Sequence, residues 1–167
     1  EMEFNRLLSS AISAYGEPKL TSDKDIVKND EKQKAIDRKK YYLITNLDEI
    51  DSWIKEAEAA GEVAVDTETS SLDPHQADLI GISLSSKIGK ACYIPVGHKS
   101  DKCIDKNLVL GKLKPLFEDS SVKKIGQNIK FDFIVLFNQG IELNSMEDTM
   151  LMSYALDAGK NRHNMDT

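Results

Sequence analysis

The sequence lacks the marks of a membrane, secreted or zinc-bound protein. Its longest apolar run of note, Phe133 to Phe137, is far too short to cross a bilayer. The start, Glu1-Met2-Glu3-Phe4-Asn5-Arg6, has no basic segment followed by an apolar one, which excludes a secretory signal there. The two cysteines, Cys92 and Cys103, make neither a C-x-x-C pair nor a zinc spacing, and read as buried thiols in a reducing cytoplasm. The three histidines, His75, His98 and His163, are scattered without ligand spacing. There is no internal repeat and no low-complexity tract. Positive charge is also short, with a net −6 over the 167 residues. Residues 1–40 carry 9 Lys and Arg against 8 Asp and Glu, whereas residues 41–167 carry 13 against 20. Affinity for a phosphate backbone comes largely from Lys and Arg. An acidic domain that meets nucleic acid therefore needs bound cations for local positive charge, and another domain for most of the hold.

What is present divides into three stretches. Glu3 to Tyr15 has helical spacing, with Phe4, Leu7, Leu8, Ala11, Ile12 and Tyr15 on one stripe, and Gly16 and Pro18 end it. A lone amphipathic helix needs a partner surface, so residues 1–20 read as the last helix of a preceding domain. Residues 21–40 are polar, rich in Lys and Asp and without aromatics, as in a solvated linker. Residues 41–167 have the pattern of a compact domain. Tyr41 to Ile44 is a short strand, and Asp48 to Ala60 a helix with Leu47, Ile50, Trp53, Ile54 and Ala57 on its apolar face and Gly61 at its end. Strands are expected over 62–67, 79–85 and 91–96, with a hairpin turn at 87–90, and a helix over 108–118 despite Gly111 and Pro115. Further expectations are a strand over 122–125, a helix over 129–138, a strand over Ile141 to Leu143, and a helix over 149–156. An antiparallel run followed by alternating strand and helix predicts a mixed α/β sheet with helices on its faces.

Two segments carry chemistry. Val63-Ala64-Val65-Asp66-Thr67-Glu68 is an apolar strand ending in two carboxylates, and alternation puts Asp66 and Glu68 on one side, where both can reach one cation. Gly126-Gln127-Asn128-Ile129-Lys130-Phe131-Asp132 is a turn into a helix, with Asn128 and Asp132 four apart on a shared face and Ile129, Phe133, Ile134, Leu136 and Phe137 as the buried side. Carboxylates gathered at the ends of buried elements repel and lose solvation unless a hard cation holds them. A D-x-E strand end or an N-x-x-F-D helix start alone is common. Together, about 60 residues apart, they point to a Mg²⁺-type nuclease site. Taken alone, Leu72 reads as a core leucine, Asp148 as a helix N-cap, His98 as a strand-end cap, and Lys123, Lys124 and Lys130 as exposed charges that can steer a nucleic-acid strand. Arg162 and His163 read as a solvated loop, with contact to a phosphate as the alternative.

These segments resemble the first two exonuclease motifs of the 3′–5′ proofreading domain of the bacterial DNA polymerase I family. The resemblance extends to Thr69–Leu72, Tyr93-Ile94-Pro95-Val96-Gly97-His98, Leu113-Lys114-Pro115-Leu116, Lys124–Asn128, Asp148-Thr149-Met150 and Arg162–Asp166, and so covers residues 41–167. Glu3 to Ser10 resembles the end of the 5′-nuclease domain that precedes it in that family. The resemblance implies a ribonuclease H-like fold of the DEDD exonuclease type and two-metal phosphodiester hydrolysis with Mg²⁺, for which Mn²⁺ can substitute. It implies that Asp66 bridges both ions, that Glu68 holds the first, and that Asp132 helps hold the second. The substrate is expected to be a single-stranded DNA 3′ end. By the same resemblance, Leu72 is expected to act as the apolar wedge at the terminal bases, with Thr67, Gln127, Asn128 and Phe131 lining the same pocket. The expected partners are DNA and the polymerase and 5′-nuclease domains of one parent chain in the cytoplasm, with no membrane.

The sequence departs from the family at one point. The third motif, a Tyr four residues before an Asp on a late helix, has no counterpart. Tyr154 and Asp157 are three apart, and Tyr154 fits an earlier helix as a core residue. With no initiator Met and no closing signal, the chain reads as a fragment whose isolated activity is weak or absent. Two alternatives stay open: an RNA-trimming exonuclease of the ribonuclease D type, and a non-catalytic exonuclease-like scaffold.

Overall fold

The computed structural model of the chain describes residues 41–99 and 102–157, together with Ser9, residues 12–14, Gly16 and His163. The chain divides into two units, Glu1–Ile36 and Asp37–Thr167. In the first, Ser9 and residues 12–14 are helical, and Gly16 donates its N–H to the Ile12 carbonyl at 2.8 Å. The linker expected over 21–40 lies outside the described residues, and so does Arg162.

The second unit is built on a six-stranded sheet. In chain order it comprises β1 (Tyr41–Leu43), α1 (Ile50–Ala60), β2 (Glu62–Thr69), β3 (Leu79–Lys87), β4 (Lys90–Pro95), α2 (Lys106–Glu118), β5 (Lys123–Gly126), α3 (Lys130–Asn138), β6 (Met146–Asp148) and α4 (Thr149–Asp157). The strand order is β1-β4-β3-β2-β5-β6. β3 runs antiparallel to both β2 and β4, while the β1–β4, β2–β5 and β5–β6 pairs are parallel. β3 is therefore the one reversed strand, and β2 and β5 point their C-terminal ends the same way. In sheets with such parallel neighbours, the crevice beyond the strand ends is where ligands bind.

One face of the sheet makes the core. Val63, Val65, Ile82, Leu84 and Ile94 pack there against Ile50, Trp53 and Ala57 of α1, Val109, Leu113, Leu116 and Phe117 of α2, and Val135 and Leu136 of α3. α1 follows the expected stripe, and Gly61 ends it at φ 71°, donating to the carbonyls of Ala57 and Glu58. The 87–90 hairpin forms as expected, with Gly89 at φ 78°. α2 runs through Gly111 and Pro115.

Four expectations are corrected. Ile141 to Leu143 is not a strand. Ile141 and Leu143 are buried, but Ile141 N–H donates to Leu136 O at 3.1 Å and Glu142 N–H to a Glu118 carboxylate oxygen at 3.2 Å, so the segment wraps the ends of α3 and α2. The strand forms three residues after it, as β6. The buried side of α3 is Ile129, Asp132, Val135 and Leu136, whereas Phe137 is exposed and stacks on Phe133 at 5.8 Å. Tyr154 is not in the core but half exposed, its ring 3.8 Å from that of His163, which is itself buried. Lys124 is fully buried, and its Nζ donates to the carbonyls of Asp119 at 2.5 Å, Val122 at 2.6 Å and Leu116 at 3.4 Å. No helix among the described residues is long and apolar enough to cross a membrane.

Candidate active site

The site grows from the end of β2. Val63, Val65 and Thr67 face the core, and Ala64, Asp66 and Glu68 face the open side. β5 accompanies β2 only as far as Ala64. Past that point β2 has no strand on this flank, and the N–H of Thr67 needs another acceptor. Asp132, in the first turn of α3, supplies it. A single oxygen, Oδ1, accepts from the Thr67 N–H at 2.8 Å and from the Thr67 hydroxyl at 2.6 Å. A side-chain carboxylate thus stands where the next ladder carbonyl would be. On the other flank the β2–β3 register shifts after Glu68, a bulge that turns the strand end out of the sheet.

The turn that delivers α3 is fixed from below. Asn128 takes a left-handed conformation, φ 57°, and its N–H donates to Asp148 Oδ1 at 3.0 Å. The same oxygen accepts from Met150 N–H at 2.9 Å, so Asp148 caps α4, as expected, and also ties the two turns together. Because α3 begins only at Lys130, Asn128 and Asp132 do not share a helical face. The side-chain oxygen of Asn128 is buried without a hydrogen-bond partner.

Asp132 feels the charge of Asp66, and Asp66 that of Glu68. Asp132 is 3% exposed. Burial pushes its carboxyl up to about 6, the two Thr67 bonds pull the other way, and the charge of Asp66 pushes it up again. Asp66 is raised as well, by burial first and by the Glu68 charge second. Asp66 and Glu68 at the strand end, with Asp132 of α3 held on Thr67, offer hard oxygen donors suited to a divalent cation. The donor chemistry fits such an ion, and Asp132 faces Thr67 in this arrangement. Among the described residues, no three His, Cys, Asp or Glu side chains are gathered closely enough to hold an ion as they stand.

An open cleft of about 460 Å³ adjoins the acids, lined by Asp66, Thr67, Glu68, Ser70, Leu72 and Phe131, among others. Leu72 is 97% exposed, unlike a core leucine. The loop that presents it is held by Asp78 N–H to Ser70 Oγ at 2.9 Å, Gln76 Nε2 to Asp73 Oδ2 at 2.9 Å, and Asn138 Nδ2 to Pro74 O at 3.0 Å. Of the four residues expected to share a pocket with Leu72, Phe131 lines this cleft, partly buried and packed against the core. Thr67 borders it, but its hydroxyl is committed to Asp132. Gln127 lines a separate groove that also includes Asp66. Its side chain is engaged there, donating to His163 O at 2.8 Å and accepting from the Thr149 hydroxyl at 2.5 Å. Asn128 lines neither. The left-handed turn at Asn128, which the apolar spacing around it does not reveal, accounts for this. Ser70, Asp73 and Asn138, which hold the Leu72 loop, carry no signal in the sequence that marks them for it.

The family model for the 3′–5′ exonuclease matches residues 41–167. The chain is 43% identical to DNA polymerase I of Rhizobium leguminosarum over 78% of its own length, and spans 15% of that protein's length. Among solved structures, Brucella melitensis NrnC with bound Mg²⁺ is 26% identical with a TM-score of 0.54, covering 75% of this chain and 57% of that one. Trypanosoma brucei RNase D in complex with GMP has a TM-score of 0.60 at 14% identity, covering 71% of this chain and 36% of that one, a likeness of fold alone. The fold is the mixed α/β, ribonuclease H-like one that the sequence predicts.

Proposed function

The chain belongs to the 3′–5′ exonuclease domain family of DNA polymerase I, and we propose that, as part of its full-length protein, it removes nucleotides hydrolytically from single-stranded DNA 3′ ends with Mg²⁺ or Mn²⁺, the isolated segment being weak or inactive. The observation that carries this reading is the acid pair Asp66 and Glu68 at the end of β2, which lines the cleft of Leu72 and Phe131, with Asp132 held beside it on Thr67. Asp66, Glu68 and Asp132 are the residues that would hold the metal. Asp66, which feels the charge of Glu68 and whose own charge acts on Asp132, would be the carboxylate that serves both ions. Bound ions supply an activated water and charge stabilisation for the leaving 3′ oxygen. Mg²⁺ bound to the NrnC neighbour supports the choice of cation.

The chain's own residues do the rest. Thr67 fixes the Asp132 carboxylate through two hydrogen bonds, which sets where its second oxygen can point. Leu72, held out by its stiffened loop, presents an apolar surface to the terminal bases, and Phe131 lines the same cleft. The full-length protein that carries this segment is proposed to join the exonuclease to polymerase and 5′-nuclease domains. In that protein, Asp66→Ala abolishes loss of label from a 3′-labelled single-stranded DNA oligonucleotide in Mg²⁺ while DNA synthesis persists. Unchanged digestion would refute the assignment. Faster trimming of RNA than of DNA ends would favour an RNA-directed enzyme instead.

A further inference from the structure

On the open face of the sheet, Glu68 pairs across the strands with Gly81, and Gly81 with Pro95. One step along, Asp66 pairs with Ser83, and Ser83 with Tyr93. Tyr93 leans diagonally off its own row and covers Gly81. A Cβ added to Gly81 would stand 2.0 Å from the phenol oxygen and 2.3 Å from the ring carbon that bears it. Glycine is the residue that permits this approach. The phenol oxygen thus sits above the strand position immediately beside Glu68. It is pinned there from the far side, 2.6 Å from Nε2 of His98, whose ring also packs edge-on against that of Tyr93 at 5.7 Å.

We propose that Tyr93, backed by His98, is a positioning residue of the site, holding the Glu68 carboxylate on the face where Asp66 stands. The inference rests on the metal-binding reading given above. The chemistry of the three groups fixes the direction of the proposed Tyr93–Glu68 bond and of the Tyr93–His98 bond seen in the structure. A carboxylate only accepts, so the phenol serves Glu68 by donating its O–H. The phenol oxygen is then an acceptor, and His98 must donate to it from Nε2. Burial first, and the Glu68 charge second, raise the Tyr93 phenol, which keeps its proton available to donate. Outer partners of this kind fix the orientation of a metal-binding carboxylate and are worth about 10–100-fold in metal affinity.

The test uses the 167-residue chain and Mn²⁺, followed by the EPR signal of the free ion, with circular dichroism as a check on folding. Tyr93→Phe, which removes one oxygen, weakens Mn²⁺ binding about tenfold. Combining Tyr93→Phe with Glu68→Gln gives no loss beyond that of Glu68→Gln alone. Long-range ¹H–¹⁵N spectra of the metal-free protein at pH 8 show neutral His98 protonated at Nε2. Wild-type affinity in Tyr93→Phe, additive losses in the double variant, or a bare Nε2 on His98 each overturn the inference. If Tyr93→Phe binds normally while Asp66→Ala and Glu68→Gln do not, the positioning role fails and the metal site stands. If the unaltered chain binds no Mn²⁺, both fail.

Discussion

Asp132 is a residue whose function and stability pull in opposite directions. Its raised carboxyl, at about 6 against an ordinary 3.8, means that the folded chain holds this proton more tightly than the unfolded one. Stability from this group is therefore present at low pH and falls as pH rises from the ordinary carboxylate value through about 6. Above that range the buried charge costs the metal-free fold at most about 3 kcal/mol. Asp132→Asn keeps an oxygen for both Thr67 donors and removes the charge. Urea unfolding in EDTA is expected to show the variant more stable by about 1–3 kcal/mol at pH 8, with the two proteins converging near pH 4. A variant less stable than wild type at pH 8 would mean that the charged form is favoured by the fold itself. Leu72 is the contrasting case. At 97% exposure it packs little of the core, so Leu72→Ala should leave unfolding unchanged within about 0.5 kcal/mol. Binding of a single-stranded 3′ end should weaken by about 1 kcal/mol, the value of the apolar surface lost. Fluorescence anisotropy with a 3′-overhang oligonucleotide measures it.

Among the elements, the junction of α2 and β5 shows what the sequence conveyed and what it withheld. Strong amphipathic or alternating segments were legible. α1 announced its buried stripe, and β2 announced both its core face and its paired acids, because period and burial agree there. α3 hid its face, since Phe131, Phe133, Ile134, Val135, Leu136 and Phe137 make it apolar all round, and only tertiary packing chose Asp132, Val135 and Leu136 for the inside. Ile141 to Leu143 alternates like a strand because it drops two side chains into the core while its backbone bonds to helix ends. Lys123 and Lys124 were indistinguishable in sequence, yet one is exposed and pairs with Glu147 at 2.7 Å, while the other is fully buried under three carbonyls. Strand alternation separates them. Burial holds the Lys124 ammonium below the usual lysine range, while its carbonyl acceptors retain it at the end of α2. Lys124→Met strips the Asp119, Val122 and Leu116 carbonyls of their donor, and should cost about 2–4 kcal/mol in urea unfolding. Lys123→Met removes a surface pair and should cost about 0.5 kcal/mol or less. Equal losses from the two would mean that the buried ammonium contributes no more than a surface charge.

At the scale of the whole molecule, charge decides how DNA can be held. Residues 41–167 carry 13 basic against 20 acidic side chains, and the proposed site is itself a cluster of acids. Lys124, close to the second motif in sequence, is buried and offers no contact to a phosphate. The phosphate of a 3′ end approaching Asp66 and Glu68 therefore meets repulsion, unless divalent ions intervene. Apolar contact with Leu72 and Phe131 does not by itself overcome it. Affinity should accordingly depend on the cation rather than on a basic surface. In EDTA, the chain is expected to bind a single-stranded oligonucleotide weakly, with a salt slope of magnitude about 2 or less, because few phosphates are neutralised by Lys or Arg. Adding Ca²⁺, a hard oxygen-seeking ion used here so that binding can be followed without relying on Mg²⁺ or Mn²⁺, should tighten binding to DNA several-fold. Asp66→Ala should erase that gain without changing the EDTA value. Tight binding in EDTA with a slope of about 6 or more would reveal a basic track, and would remove the need for ions in holding the strand.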